Sequence, residues 1–181
     1  MIALQIILIT IIFLVILWQA CLIYASFFGA PSVNSSRRAI KDVLDLVKPQ
    51  KGTLLIDLGC ASGWMLITAA KECGCRGIGF ERSPWYFLWA RLNIFLHGEG
   101  KRVKIFFGDF KRAERHLKEA DFVYIYLLNS VLAKMEDWLF EAIGPETKVI
   151  SLAFTFPHHQ PTSEIETRNL GVSSKARIYS K

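Results

Sequence analysis

Charge is missing from the start of this 181-residue chain: no Asp, Glu, Lys or Arg occurs between Met1 and Ser36. The run from Ile2 to Phe28 has almost no polar interruption beyond Gln5, Thr10 and Gln19. A buried core helix keeps a polar face, so that reading is excluded. A cleaved signal peptide is expected to open with a basic region and to carry a shorter apolar stretch, and only Met1 precedes the run here. Cysteine is also scarce. The four residues Cys21, Cys60, Cys73 and Cys75 do not make a disulfide framework and suit a reducing compartment. Cys73-Gly74-Cys75 has no Cys or His pair at matching spacing to complete a four-ligand zinc site, so no metal is expected. Repeats and low-complexity segments are absent, and a hydrophobic fraction of 52% excludes a disordered or collagen-like chain.

The uncharged run exceeds the roughly 20 apolar residues that span a hydrocarbon core of about 30 Å. It is expected to be a transmembrane helix that inserts in the lipid bilayer. Arg37, Arg38 and Lys41 follow it and nothing basic but the amino terminus precedes it, so the rest of the chain should face the cytoplasm. The chain is thus expected to be a single-pass membrane protein, with Trp18 and Tyr24 as candidate interfacial aromatics, Trp18 being alternatively deep enough to face lipid or a partner helix. Lys and Arg number 22 against 16 Asp and Glu, a balance of +6 that suits an anionic membrane face or nucleic acid. Gly29-Ala30-Pro31 should break the helix, and Asn34-Ser35-Ser36 offers N-caps for an amphipathic helix with Ile40, Val43, Leu44 and Val47 on one side, ended by Pro49. Residues 1–28 therefore read as an anchor, 29–50 as a connecting segment and helix, and 51–181 as a separate domain.

In that domain short apolar runs alternate with helical stretches. Strands are expected at Leu54 to Leu58, Gly77 to Phe80, Val103 to Phe107, Phe122 to Leu127 and Val149 to Phe154. Helices are expected at Trp64 to Glu72, Pro84 to Leu96, Lys111 to Lys118 and Val131 to Ile143, with short closing strands at Glu164 to Arg168 and Lys175 to Tyr179. Near-continuous apolar strands alternating with helices describe an α/β fold, a Rossmann-like parallel sheet with helices on both faces. Trp85, Phe87, Trp89 and Phe95 are expected to pack and cover the sheet. His158 and His159, between Pro157 and Pro161, receive no role.

The most informative stretch runs from Leu54 through Asp57-Leu58-Gly59-Cys60-Ala61-Ser62-Gly63, a buried strand entering a small-residue turn and then a helix. Small residues let backbone approach a ligand, and the helix start offers free N–H groups. A G-x-G-x-x-G dinucleotide fingerprint fails, because Ala61 and Trp64 stand at its second and third glycines, and no P-loop motif occurs.

The stretch resembles the first motif of class I methyltransferases, acid-x-Gly-x-Gly-x-Gly, with Asp57, Gly59 and Gly63 in place and Ala61 for the middle glycine. The resemblance implies S-adenosylmethionine as cofactor. It continues at the second strand end, where Glu81 and Arg82 stand in the place of the family's ribose-binding acid. It continues again at the third, where Gly108, Asp109 and Phe110 stand in the place of the adenine-binding acid. Cofactor contacts are thereby implied for Asp57, Gly59, Cys60, Ala61, Ser62, Gly63, Glu81, Arg82, Gly108, Asp109 and Phe110. More closely, residues from Gly29 to Pro161 resemble the membrane-anchored lysine methyltransferases related to the mitochondrial enzymes acting on the adenine nucleotide translocase and ATP synthase c subunit, and their prokaryotic relatives. Carrying this likeness are the Pro-containing segment 29–35, the aromatic turn Tyr124-Ile125-Tyr126-Leu127-Leu128-Asn129 and the strand Thr147 to Phe154. The chain departs from those relatives at Ala61-Ser62-Gly63-Trp64, Asn34, Asn129 and Leu152-Ala153.

What the resemblance implies is methyl transfer to a lysine of a membrane-associated protein, with Tyr126 as the substrate-side residue. Two alternatives stand beside it: a methyltransferase acting on a lipid, quinone or other small amphiphile, and a non-catalytic S-adenosylmethionine-binding membrane protein. Tethering argues against a freely diffusing nucleic-acid enzyme, so no nucleic-acid partner is expected.

Overall fold

The computed structural model describes residues 2–27 and 34–181. Helix α1 (Ile2–Phe27) is apolar on every side, and its side chains from Ile2 to Ala20 are all exposed. Its length and composition suffice to cross a bilayer. Phe28, the expected break at Gly29-Ala30-Pro31 and the side chain of Tyr24 lie outside the described residues. Helix α2 (Arg37–Val47) starts where Ser36 Oγ accepts the Ala39 N–H at 3.2 Å, and it buries Ala39, Ile40, Val43 and Leu44.

Five parallel strands form the centre: β1 (Leu54–Leu58), β2 (Arg76–Glu81), β3 (Val103–Phe107), β4 (Phe122–Ile125) and β5 (Lys148–Leu152). A hairpin of β6 (Ser163–Asn169) and β7 (Val172–Tyr179) closes the sheet, with β7 antiparallel to β5. The order is β3-β2-β1-β4-β5-β7-β6. Every residue of β1 is buried because helices cover both faces of the sheet. Helices α2, α3 (Trp64–Cys73) and α4 (Pro84–Leu96) pack on one face, whereas α5 (Glu114–Leu117) and α6 (Asn129–Ala142) pack on the other.

Four local differences separate the structure from the expected elements. The stretch expected as one helix at Lys111 to Lys118 is a 3-10 turn, Phe110–Ala113, followed by α5, because Asp109 Oδ1 accepts the Lys111 N–H at 3.0 Å and starts the turn early. Strand β4 stops at Ile125 because its partner β1 stops at Leu58. Strand β5 stops at Leu152: Ala153 still donates its N–H to Lys175 O at 2.8 Å, but its φ of +68° turns the chain out of the extended conformation. Helix α4 buries only Ala90, Asn93 and Ile94; Trp85, Trp89 and Phe95, expected to cover the sheet, are exposed, and Phe87 is half-buried against Phe107.

The two unassigned histidines acquire a structural role. Glu136 on α6 is fully buried and accepts the backbone N–H groups of His158 at 2.9 Å and His159 at 2.8 Å. Both imidazole Nδ1 atoms reach it, at 3.0 and 2.7 Å, and His159 stacks on Phe140 with 3.6 Å between ring centres. Burial alone pushes the Glu136 carboxyl up, but the bonds from His159 and His158 outweigh it and hold the group below its usual range. The segment after β5 is thereby fixed to α6.

Of the two glycines in strand β2, Gly79 is the more tightly packed. A methyl there would stand 2.6 Å from Ile105 Cδ1, 2.7 Å from Cys60 Sγ and 2.8 Å from Leu66 Cδ1. Gly79→Ala should therefore destabilise the full-length chain by about 1–3 kcal/mol. The check is denaturant unfolding in detergent micelles; an unchanged midpoint would show that this packing relaxes freely.

Candidate functional site

Strand β1 lies between β2 and β4, and the helices that follow β1 and β4 go to opposite faces of the sheet. A crevice opens outside the carboxyl ends of the strands at such a switch point, which is where open α/β sheets take ligands. The turn Gly59–Gly63 sits there. Gly59 and Cys60 both donate N–H bonds to Phe80 O, at 2.9 and 3.0 Å, and Gly63 N–H closes the turn onto Cys60 O at 2.8 Å. The path requires φ +91° at Gly59, +45° at Ala61 and +80° at Gly63. Only Ala61 pays a steric penalty for that conformation.

What holds Ala61 is Glu81, at the end of β2. Its Oε2 accepts the Ala61 N–H at 2.8 Å and its Oε1 accepts the Ser83 N–H at 2.7 Å. From the other side, Asn93 Nδ2 on α4 donates to Ser62 O at 3.1 Å. Glu81 is buried with both oxygens engaged by backbone. Asp57, also buried, lines a small cavity beside the turn. Burial and then the charge of Glu81 push the Asp57 carboxyl well up, and burial pushes Glu81 up against the lowering effect of the N–H groups of Ser83, Ala61 and Arg82. Burial, then Asp57 and Glu81, likewise push the Cys60 thiol up and keep it neutral. Two adjoining buried acids make a site that favours a cationic ligand.

Residues that precede α2 roof this cavity. Asn34 Oδ1 accepts the Ser62 N–H at 3.3 Å and the Ser62 hydroxyl at 2.5 Å. Ser35 Oγ and the buried Tyr124 hydroxyl lie 2.7 Å apart, and burial pushes the Tyr124 phenol far up. Tyr126, just past β4, is half-buried, borders the cavity and stacks on Phe154. Trp64 borders it too, under the Arg37 guanidinium at 5.3 Å and edge-on to His97. The space left is about 20 Å³.

Of the residues predicted from the sequence, Asp57, Gly59, Cys60, Ala61, Ser62, Gly63 and Glu81 form this one cluster. Arg82, Gly108, Asp109 and Phe110 lie at the neighbouring strand ends. The two groups join where Gly108 N–H donates to Glu81 O at 2.9 Å. Arg82 and Asp109 form a 3.6 Å ion pair, partly exposed, and Phe110 packs on Trp138. Sequence reasoning missed Asn93 and the roofing role of Asn34 and Ser35. A lone amide in the apolar stretch Pro84 to Leu96 was the available signal for Asn93; Asn34 and Ser35 read only as capping residues.

Residues 57–163 match the family model described as the ANTKMT methyltransferase domain. The adenine nucleotide translocase lysine N-methyltransferase of Mus musculus is 31% identical over 136 residues, which cover 75% of this chain and 58% of that protein. The chain thus spans little more than half the length of this relative. A protein-lysine N-methyltransferase of Saccharolobus islandicus is 26% identical over 150 residues, covering 82% of this chain and 92% of the relative. The crystal structure of an RNA methyltransferase from Salinibacter ruber, in complex with S-adenosyl-L-homocysteine, superposes with a TM-score of 0.74 at 30% identity, covering 82% of this chain and 94% of that one.

The residues present fit S-adenosylmethionine. Its sulfonium and ammonium charges suit the Asp57 acid that lines the cavity, with Glu81 behind the turn, and its carboxylate suits the Ser62 donors that Asn34 holds in the free protein. Removing Glu81 should free the Ala61 turn and leave its N–H groups unpaired. Glu81→Ala should therefore weaken S-adenosylhomocysteine binding by about 1.5–3 kcal/mol, roughly ten- to a hundredfold, in titration calorimetry. Unchanged affinity in a folded variant would remove Glu81 from the site.

Proposed function

This chain belongs to the ANTKMT methyltransferase-domain family, and from that membership we propose that it methylates a lysine of a membrane-associated protein while anchored in the bilayer by its own amino-terminal helix. Its cofactor is S-adenosylmethionine. Residues 1–28 serve as the anchor, 29–50 as the connection and 51–181 as the methyltransferase domain, in a single-pass arrangement with that domain on the cytoplasmic side. The basic residues Arg37, Arg38 and Lys41 beside α1 support that orientation.

The observation that carries this reading is the roof of the cavity. Asn34 and Ser35 bond to Ser62 and Tyr124 inside the site, and only seven residue steps separate Asn34 from the end of α1 at Phe27. Fully extended, that length reaches at most about 25 Å. A tether so short confines the site to acceptors at the membrane surface and raises their effective concentration.

When bound, S-adenosylmethionine supplies an electrophilic methyl group on a sulfonium. The Gly59–Gly63 turn, held by Glu81 and Asn93, would hold the ligand, and Asp57 and Glu81 would offset its positive charge. Asn34 occupies the Ser62 donors and leaves little free space, so it would have to yield them to a bound ligand. On the acceptor side, Tyr126, Phe154 and the buried Tyr124 form an aromatic wall. An aromatic, water-poor wall disfavours ammonium and lets a lysine lose its proton to solvent before its lone pair attacks. No dedicated general base is required, because positioning supplies most of the acceleration.

A second reading, methyl transfer to RNA, is favoured by the Salinibacter neighbour's description as an RNA methyltransferase and by the net charge of +6. Incubating the full-length chain, native membranes and methyl-labelled S-adenosylmethionine separates the two. Label should enter a protease-sensitive, nuclease-resistant fraction as N-methyl-lysine, and the rate should rise with pH as more acceptor amine is neutral. Label in RNA, or in the solvent-extracted lipid fraction, would replace the lysine reading.

A further inference from the structure

Helix α4 is apolar on the side that faces away from the protein. Trp85, Leu88, Trp89, Leu92, Phe95 and Leu96 are all exposed, Phe95 to 78% and Leu96 to 66%. At 100° per residue they form one stripe about 120° wide, opposite the buried Ala90. A soluble protein rarely leaves so large a contiguous apolar surface uncovered. Three further features identify its occupant. Helix α1, the candidate bilayer-spanning helix, contacts α4 itself. The groove beside α4 is lined by Arg91, Lys101 and Lys104, all exposed, while nearby Glu99 is buried and paired with Arg102 at 2.9 Å. Two of the six residues of the stripe are tryptophans, the side chain enriched where hydrocarbon meets lipid headgroups.

We propose that the outer face of α4 lies in the headgroup region of a bilayer containing anionic lipid, with Arg91, Lys101 and Lys104 against the phosphates. This is the chemistry of an interfacial amphipathic helix built into a folded domain. The opposite side of the same helix carries Asn93, which holds Ser62 O, and Ala90 and Ile94, which lie against Gly63. Docking therefore fixes the height and tilt of the Gly59–Gly63 turn above the membrane, and so decides which part of a membrane protein reaches the crevice. The proposal rests on α1 spanning the bilayer, and the test separates the two.

Full-length chain carrying Trp18→Phe is reconstituted in vesicles of phosphatidylcholine and phosphatidylglycerol, with acyl chains unlabelled or brominated near the headgroup. A companion also carries Trp85→Phe and Trp89→Phe, so the difference between the two reports these tryptophans alone. That difference emission should lie at short wavelength and fall progressively as brominated lipid replaces unlabelled lipid. Flotation with the vesicles and matching far-ultraviolet circular dichroism establish insertion and folding of both. A chain that floats while its difference emission is indifferent to bromine overturns the docking and leaves the anchor standing. Failure to float overturns the anchor and the docking with it. Bromine-indifferent emission accompanied by cross-linked pairs through α4 assigns the face to a second copy and contradicts the proposal.

Discussion

The carboxylate of Glu81 is the joint on which the site depends. It holds two backbone N–H groups from different loops, those of Ala61 and Ser83, in a place from which water is excluded. Without it Ala61 would have to keep φ +45° with its own N–H unpaired. Burial, however, pushes both acids up, and the charge of Glu81 adds to the rise at Asp57. The apo site therefore carries electrostatic tension that a positive ligand relieves. A sulfonium-bearing nucleoside fits that requirement where a dinucleotide, with its anionic pyrophosphate, does not.

The start of α2 is held separately from that joint. Ser36 N–H donates to Asn169 Oδ1 at 2.7 Å, its hydroxyl donates to Arg168 O at 3.0 Å, and Thr167 Oγ1 donates to Asp42 Oδ2 at 2.5 Å. These bonds fasten the start of α2 to β6, at the end of the sheet farther from β1. The residues just before them reach back over β1 and β4 to Ser62 and Tyr124. The described residues just before α2 are consequently held at two places, Ser36 on β6 and Asn34 and Ser35 on the roof of the cavity.

Much of this was legible in the sequence, and the exceptions have a common physical origin. Strand β1 could be read from Leu54-Leu55-Ile56 before Asp57 because a strand covered on both faces has to be continuously apolar. The site turn could be read from Gly59 and Gly63 because only such residues suit its left-handed backbone. Helix α4 could be placed to the residue through Ser83 and Pro84, which cap and start it. Its orientation could not. Trp85 and Phe95 look alike to periodicity whether they face the sheet or lipid, since both surroundings are apolar. Likewise the composition of 110–117 cannot distinguish a helix from a 3-10 turn whose start is set by the single Asp109 bond. The roles of Asn34 and Glu136 were hidden for another reason: their partners stand 28 and 22 residues away in the chain, beyond any local pattern.

The claim that most needs testing is that the Asp57 and Glu81 acids await a cation. S-adenosylmethionine and S-adenosylhomocysteine differ by a methyl group and the sulfonium charge, so they separate electrostatic relief from shape. Each can be titrated into the full-length chain in lipid nanodiscs, in buffers of different ionisation enthalpy, at mildly acidic pH above the usual carboxylate range near about 4. Both should bind saturably at one site, and S-adenosylmethionine should release more protons than S-adenosylhomocysteine, because its charge favours ionised acids whose affinity for protons is raised in the free protein. Equal proton release by the two ligands would contradict the electrostatic account, and the absence of saturable binding by either would contradict the site itself.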